Sequence, residues 1–446
     1  MPVLLKSLLK SSIVNSKHKP NSNVYNETMK KFSIYLFFVG GRHLYQTLCY
    51  NFPNSLPSIP SLFRYFGKTQ QLSEGYFRFM ELRKFLDDHN YPSYVWLSED
   101  ATRITLSIEY DSMTDKLVGF VLPLKDDCPI SNTYVVTSVR SILDAFENGT
   151  KSKYAYCIMA QPSLPGALSF CISIFGTNNH FSFTDVNNRW EKMIQMASNQ
   201  NIHVLGFSSD GDPRLLKAML YRCMVQEPVS DCLWFKLGSP LGYNSTSHKH
   251  QIYIQDTTHI GTKLRARLLK PSVVLLMGRY AASLTHLQCL IDSYSKDKHF
   301  LTKSDLNSID KMNFRAAEKM YSDKVIELMK SIPDTNGTVA YLTIMQFVIS
   351  AFNDHNISIK DRIYKLYFAV FFLRKWKLWI TSNKSYSGTA NFISINSYHC
   401  IEINAHAIIK LVNTFKTSVL NIEKEPNNTS GLNPSMFVPW LYISTM

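Results

Sequence analysis

The sequence predicts a mixed α/β protein: a sheet interrupted by a large all-helical insertion and preceded by a small helical region. Three observations predict it. Between residues 91 and 255, short apolar runs alternate with acidic or polar turns, as strands do. Between 256 and 390, apolar residues recur three and four apart over long stretches, the helical period. The 446 residues are 45% apolar, enough for more than one buried core.

Residues 1–26 are Asn-, Ser- and Lys-rich, with Lys6, Lys10, Lys17 and Lys19 and no acid, and read as a disordered basic tail. Residues 27–90 read as a helical, helix-turn-helix-like region around the Pro-rich NFPNSLPSIPS, closing on the helix LSEGYFRFMELRKFLDDH. The first part of the sheet core spans 91–255. YVWLSED, RITLSIEYD and KLVGFVLPL read as sequential antiparallel strands, with a hairpin turn at Ser112-Met113-Thr114-Asp115. YAYCIMAQ is a continuous apolar run, expected of a strand buried on both faces.

A helix over 185–199, the strand NIHVLGFSSDGD ending in an acidic turn, the helix PRLLKAMLYRCM and the strand CLWFKL follow, with 131–147 unassigned. That is the order of a ribonuclease H-like sheet. Residues 256–390 form the helical insertion, read as long helices over LLKPSVVLLMGRYAASLTHLQCLIDSY, NFRAAEKMYSDKVIELMKSI, VAYLTIMQFVISAFNDH and DRIYKLYFAVFFLRKWKLWI. SINSYHCIEINAHAIIKLVNTF opens the C-terminal helical remainder of the core, 391–446.

A net charge of +14 and a pI near 9.2 favour a polyanionic partner, nucleic acid first and an acidic membrane surface second. A basic surface with no dedicated ligand is the competing reading. None of the eight cysteines forms a C-x-x-C pair, so zinc-finger spacing is absent, and Cys157 and Cys223 lie in apolar runs that suit reduced thiols in a reducing compartment. Met29-Lys30-Lys31 followed by FSIYLFFVGG imitates a signal peptide, but it begins too far into the chain and lacks a cleavage site, so secretion is not expected. The most apolar long run, 363–380, is broken by Lys365, Arg374, Lys375 and Lys377, so no membrane span is expected.

Two aspartates stand at strand ends, where α/β sheets present reactive groups. Asp100 follows YVWLSE, and Asp210 follows VLGFSS and precedes Gly211. A carboxylate pair on neighbouring strands suits Mg²⁺ or Mn²⁺ and in-line phosphodiester transfer. Ordinary turn aspartates are the competing reading. Glu99 is an adjacent acid that could be mistaken for Asp100, and Asp212 shares the second turn.

Several stretches, in one order along nearly the whole chain, resemble P-element-like transposases of the THAP superfamily. They are FSIYLFFVGGRHLYQTLCYNFPNSLPS, YVWLSED with IEYD and VGFVLPL, KYAYCIMAQPSLPGALSFCISIFGTNN, GFSSDGDPRLLKAM, YIQDTTHIGTKLRARLL, LTKSDLNSIDKMNF and YHCIEINAH. The resemblance implies that Asp100 and Asp210 are the first and second catalytic acids and metal ligands, with Mg²⁺ or Mn²⁺ as cofactor. It implies DNA as a partner, a nuclear or nucleocytoplasmic location, no membrane, and room for a homo-oligomer. Related transposases also bind a guanine nucleotide in the helical insertion, although no P-loop pattern occurs here. Asp256 and His259 either hold substrate or metal, or brace a helix start with Asp256 as N-cap.

Two departures qualify the resemblance. Residues 1–30 offer no Cys-Cys-Cys-His ligands for the family's zinc finger. The family's third acid, a glutamate in a Ser-Gln-x-x-Glu pattern after Phe-x-Pro-Trp, has no counterpart after MFVPWLYISTM, which ends at Met446. Glu402 is the nearest substitute, although its spacing to His406 suits a helix contact. The expected function is therefore a transposase-derived, DNA-associated protein with little or no strand transfer. The alternatives are an active metal-dependent transposase and a domesticated scaffold for protein–protein contacts. Basic residues interleaved with apolar or aromatic ones mark two candidate DNA contacts. The first is Lys263, Arg265, Arg267, Lys270 and Arg279. The second includes Lys375 and Lys377 beside Trp376 and Trp379, where an amphipathic helix with a core aromatic face is the competing reading.

Overall fold

The computed structural model describes residues 3–19, 22–66, 72–223, 251–354 and 356–424, with side chains to residue 414 in the last helix. The chain divides into two compact units, residues 1–73 and 74–446.

The first unit is helical: α1 (Val3–Asn15), α2 (Glu27–Asn51) and α3 (Ile59–Phe66). The expected disordered tail is corrected here, because 3–15 is a helix. The polar stretch after it, SKHKPNSN, hides an apolar-rich segment, VLLKSLLKSSIVN, whose Leu4 and Leu8, spaced by four, pack on a core of Tyr25, Met29, Tyr45, Leu56 and Leu62. The Tyr25 and Tyr45 hydroxyls donate to the Leu56 and Pro57 carbonyls at 2.8 and 2.7 Å, fastening the Pro-rich turn to this core. Gly41, at φ 72°, breaks α2 in two, giving a turn between helices that a residue with a Cβ would strain.

The second unit begins at residue 74, within the expected 27–90 region. Its first helix, α4 (Phe79–Asp88), buries Phe79, Leu82 and Leu86 in the core of the sheet. The sheet contains β1 (Tyr94–Arg103), β6 (Tyr154–Pro162), β7 (Phe170–Thr177), β8 (His203–Ser209) and β9 (Ile252–Gln255), in the order β7-β6-β1-β8-β9. β1, β6 and β7 are antiparallel, while β8 and β9 run parallel to β1. This is the ribonuclease H-like arrangement, with YAYCIMAQ in the interior strand β6, between β7 and the central β1.

Two readings are corrected, and a third lies outside the described residues. Glu109–Asp111 (β2) and Lys116–Val118 (β3) do form a hairpin turning at 112–115, but it stands apart from the main sheet, as does the short pair β4 (Leu124–Lys125) and β5 (Cys128–Pro129). The exposed Glu109 and Tyr110 cannot occupy a position buried on both faces. CLWFKL lies outside the described residues, and the edge strand beside β8 is β9. In the insertion, part of the first expected long helix is a hairpin, β10 (Leu275–Met277) and β11 (Tyr280–Ala282), turning at Gly278 with φ 62°.

The unassigned 131–147 carries α5 (Val139–Asn148), started by a Ser138–Ser141 capping box. α6 (Phe183–Ser198) starts at a Ser182–Asp185 box and stacks Trp190 on Phe207 of the sheet, 4.5 Å between ring centres. After α7 (Pro213–Cys223) and β9 come α8 (Thr257–Leu268), α9 (Leu284–Ser293), α10 (Lys296–His299), α11 (Phe314–Met320), α12 (Asp323–Lys330), α13 (Asn336–Asn353), α14 (Ile359–Ser382) and α15 (Gly388–Asn391). The chain then returns to the sheet through α16 (Ile395–Lys424). There the Asn404 carboxamide accepts from the Gln255 amide at 2.7 Å and donates to the Gln255 carbonyl at 2.9 Å, clasping the helix to edge strand β9. Among the described residues no helix is long and apolar enough to cross a membrane.

Candidate active site

β1 and β8 are parallel neighbours, with Leu97 beside Phe207 and Ser98 beside Ser208. Asp100 lies two residues further along β1, and Asp210 is the first residue after β8. The parallel register therefore brings the two acids to one end of adjacent strands. Asp100 is exposed and accepts from the Ala101 amide at 2.7 Å. Its carboxyl sits above the usual carboxylate range, first because surrounding protein displaces water, then because Asp210 repels its charge. The Ala101 amide and His259 oppose that rise, and Asp212 adds to it.

The turn holding Asp210 is fixed from several sides. Gly211, at φ +83°, faces the Lys263 ammonium so closely that a Cβ there would come within 2.6 Å of it. Lys263 donates to the Asp210 and Gly211 carbonyls at 3.0 and 3.3 Å. The Asp212 amide donates to Asp210 Oδ1 at 3.1 Å. His259 Nε2 stands 4.0 Å from Asp210 Oδ2, and its Nδ1 stands 3.4 Å from Asp256 Oδ2. Asp256 is the N-cap of α8, accepting from the Thr258 amide at 2.8 Å. His259 thus links that capping carboxylate to the acid pair.

The other expected acids have different roles. Glu99 points to the opposite face of β1, as alternation along a strand requires. There it is buried and accepts from the Tyr156 hydroxyl (2.5 Å), Arg189 (2.8 Å) and Trp190 (3.1 Å). Asp212 is bound to Arg214 at 2.5 Å; burial raises its pKa, but the Arg214 bonds outweigh burial and hold it below the usual range. Glu402 is fully buried, bridged to Arg374 at 2.5–2.6 Å and accepting from Tyr398 at 2.7 Å. It is committed to a core ion pair, and among the described residues no third acid joins Asp100 and Asp210.

The first basic stretch is largely spent inside the fold, which corrects the reading of Lys263, Arg265 and Arg267 as DNA contacts. Lys263 holds the Asp210 turn. Arg265 is wholly buried and donates to the carbonyls of Asp305, Asn307 and Asp310. Arg267 donates to the Phe392 and Thr389 carbonyls at 2.9 and 2.7 Å. Helix periodicity faced these cations inward, where orphan carbonyls of loops and short helices needed donors. Lys270 and Lys375 are exposed, and Lys377 lies over the Tyr398 ring at 4.5 Å.

The lysines of the expected basic tail are joined by further cations of the first unit. Lys6, Lys10, Lys17, Lys19, Lys31, Arg42 and Arg64 are all exposed. Glu27, the one acid in residues 1–73, is paired with Lys30 at 2.6 Å.

The solved Drosophila P element transposase strand transfer complex is similar to this structure, with a TM-score of 0.58 at 14% sequence identity, covering 99% of this chain and 97% of that chain. The chain has a P-element-transposase-like fold. No protein-family profile and no curated protein sequence matches it.

Two carboxylates, Asp100 on β1 and Asp210 just after β8, are a donor set that suits a Mg²⁺ or Mn²⁺ ion completing its shell with water and phosphate oxygens. Among the described residues no group of three metal-ligating side chains gathers.

Proposed function

We propose that this chain is a transposase-derived, DNA-associated protein in which Asp100 and Asp210 are the surviving part of a nucleotidyl-transfer centre. The observation that carries this reading is the pair Asp100, on β1, and Asp210, just after its parallel neighbour β8, in a P-element-transposase-like fold. Asp100 and Asp210 would hold Mg²⁺ or Mn²⁺, and such an ion, when bound, stabilises charge on the oxygens of a phosphodiester under attack. The chain's own residues set the pair's geometry. Lys263 and Gly211 fix the turn, the Ala101 amide orients Asp100, and His259 bridges Asp210 to the cap of α8.

DNA association in this reading comes chiefly from the first unit, whose exposed lysines and arginines face no unpaired carboxylate of the same unit. Little strand transfer is expected from two carboxylates alone. Incubation of labelled duplex DNA with Mg²⁺ or Mn²⁺ tests this, with no cleavage above the protein-free control expected. Cleavage abolished by Asp210→Ala would overturn the expectation of inactivity and make the pair a working catalytic centre. DNA binding that is absent at every salt concentration would favour a protein–protein scaffold.

A further inference from the structure

The helical insertion contains a cavity of about 420 Å³ that is separate from the acid pair. One wall is the face of α14 carrying Phe372, Lys375, Trp376 and Trp379, at the i, i+3, i+4, i+7 spacing of a helix stripe. The first turn of α13 forms the opposite wall, with Asn336, Gly337 and Ala340, and the β10–β11 turn closes the end with Met277, Gly278 and Tyr280. Small residues occur where bulk would fill it. A Cβ on Gly337 would come within 2.6 Å of the Ala281 backbone, so the approach of α13 to the hairpin depends on glycine.

The walls are held rigidly. The Trp376 indole donates to the Leu276 carbonyl, its ring packs edge-on against Phe392, and Trp379 packs against Tyr386 with ring centres 5.0 Å apart. The cavity's lining is thus aromatic and small-residue, with few polar groups inside. Its rim is cationic: Lys375 is exposed, and the exposed Arg279 lies with its guanidinium 5.0 Å from the Tyr280 ring centre. Asp334 acts on Tyr280 electrostatically as well, so the Tyr280 end of the rim carries an acid beside Arg279.

We propose that this cavity takes one unpaired base of a DNA strand, stacked on the Trp379 and Tyr280 rings, with the adjoining phosphates against Lys375 and Arg279. The proposal rests on the DNA-associated reading above and adds the form of DNA that is bound. A cavity of this volume has room for a single heterocycle. An apolar peptide side chain would use the rings but not the cationic rim, whereas a base joined to phosphates uses both. With few polar groups inside, recognition is by stacking and tolerates any base.

The test compares anisotropy titrations of a fluorescein-labelled blunt duplex with the same duplex extended by a short single-stranded overhang. Stacking of one base contributes on the order of ten-fold in affinity, so the overhang duplex should bind about ten-fold more tightly. Trp379→Ala and the cavity-filling Ala340→Phe should each remove that preference while leaving blunt-duplex binding unchanged, and Lys375→Ala should reduce it. Two independent lesions, one emptying and one filling the cavity, separate stacking from a folding defect, which would weaken blunt binding too. Equal binding of blunt and overhang DNA by the unsubstituted chain overturns this proposal alone. Binding of neither overturns it together with the DNA-associated reading.

Discussion

Asp100 and Glu99 are adjacent in sequence and chemically alike, yet one is exposed at the site and the other is sealed behind the sheet. Strand alternation separates them, but a sequence shows alternation without showing which face is which. The deciding signals lie far away, in Tyr156, Arg189 and Trp190, whose polar atoms converge on Glu99. Removing Glu99 leaves the Arg189 guanidinium buried without its counter-charge, so Glu99→Ala should lower unfolding free energy by about 3–5 kcal/mol in chemical denaturation. At the site the coupling is electrostatic. Asp210→Asn removes the repulsion that helps raise the Asp100 pKa, so an NMR carboxyl titration should show Asp100 moving back toward its ordinary value. An unmoved Asp100 would mean that burial alone raises it. Glu402 was nameable from sequence as a nearby acid. Its commitment to Arg374, 28 residues earlier on another helix, was not, because that pairing exists only once α14 and α16 pack.

Elements with strong periodicity were legible: the interior strand β6, helices α6, α14 and α16, and the strand–turn–Gly211 sequence that presents Asp210. Elements whose identity depends on partners were not. The β2–β3 hairpin has strand-like composition but stays off the sheet, β9 is only four residues long, and β10–β11 interrupts what looks like one helix. The basic run in α8 reads as a DNA-facing stripe until its arginines are seen bonding loop carbonyls. Where α16 meets β9, Asn404 satisfies both backbone groups of Gln255. Asn404→Ala leaves a buried donor and acceptor unmet, and a loss of about 1–3 kcal/mol per orphaned group is expected in thermal or urea unfolding.

The same helix makes stability depend on pH. Burial, with help from Arg374, pushes the His406 pKa down to about 3, against 6.5 when unfolded. Between those values the unfolded chain binds the extra proton, so stability is retained above pH 6.5 and lost as pH falls toward 3. His406→Leu should flatten that slope by up to one proton, read from unfolding free energies measured across this range.

At the scale of the molecule, the two units divide the chemistry. The larger unit holds the acid pair on a sheet whose order and mixed parallel pattern match the expected ribonuclease H-like core. The smaller unit carries exposed cations around a compact three-helix core, although its first helix hides in a composition that looks disordered. Composition registered the excess charge of the whole chain but not where folding would leave it exposed. Conversely, the motifs that pointed to Arg265 and Arg267 identified residues that stabilise the insertion.

Charge reversal separates these assignments. Lys31→Glu, Arg42→Glu and Arg64→Glu together should weaken duplex binding at least ten-fold and reduce its salt slope, whereas Lys270→Glu should have a smaller effect. The most direct measurement is the affinity of the unsubstituted chain for duplex DNA between 50 and 200 mM salt. With roughly four to six phosphates neutralised, log affinity should fall against log salt with a slope of about −4 to −5, and the triple reversal should make it shallower. A flat response, or a slope unchanged by the triple reversal, would contradict the assignment of DNA association to this unit.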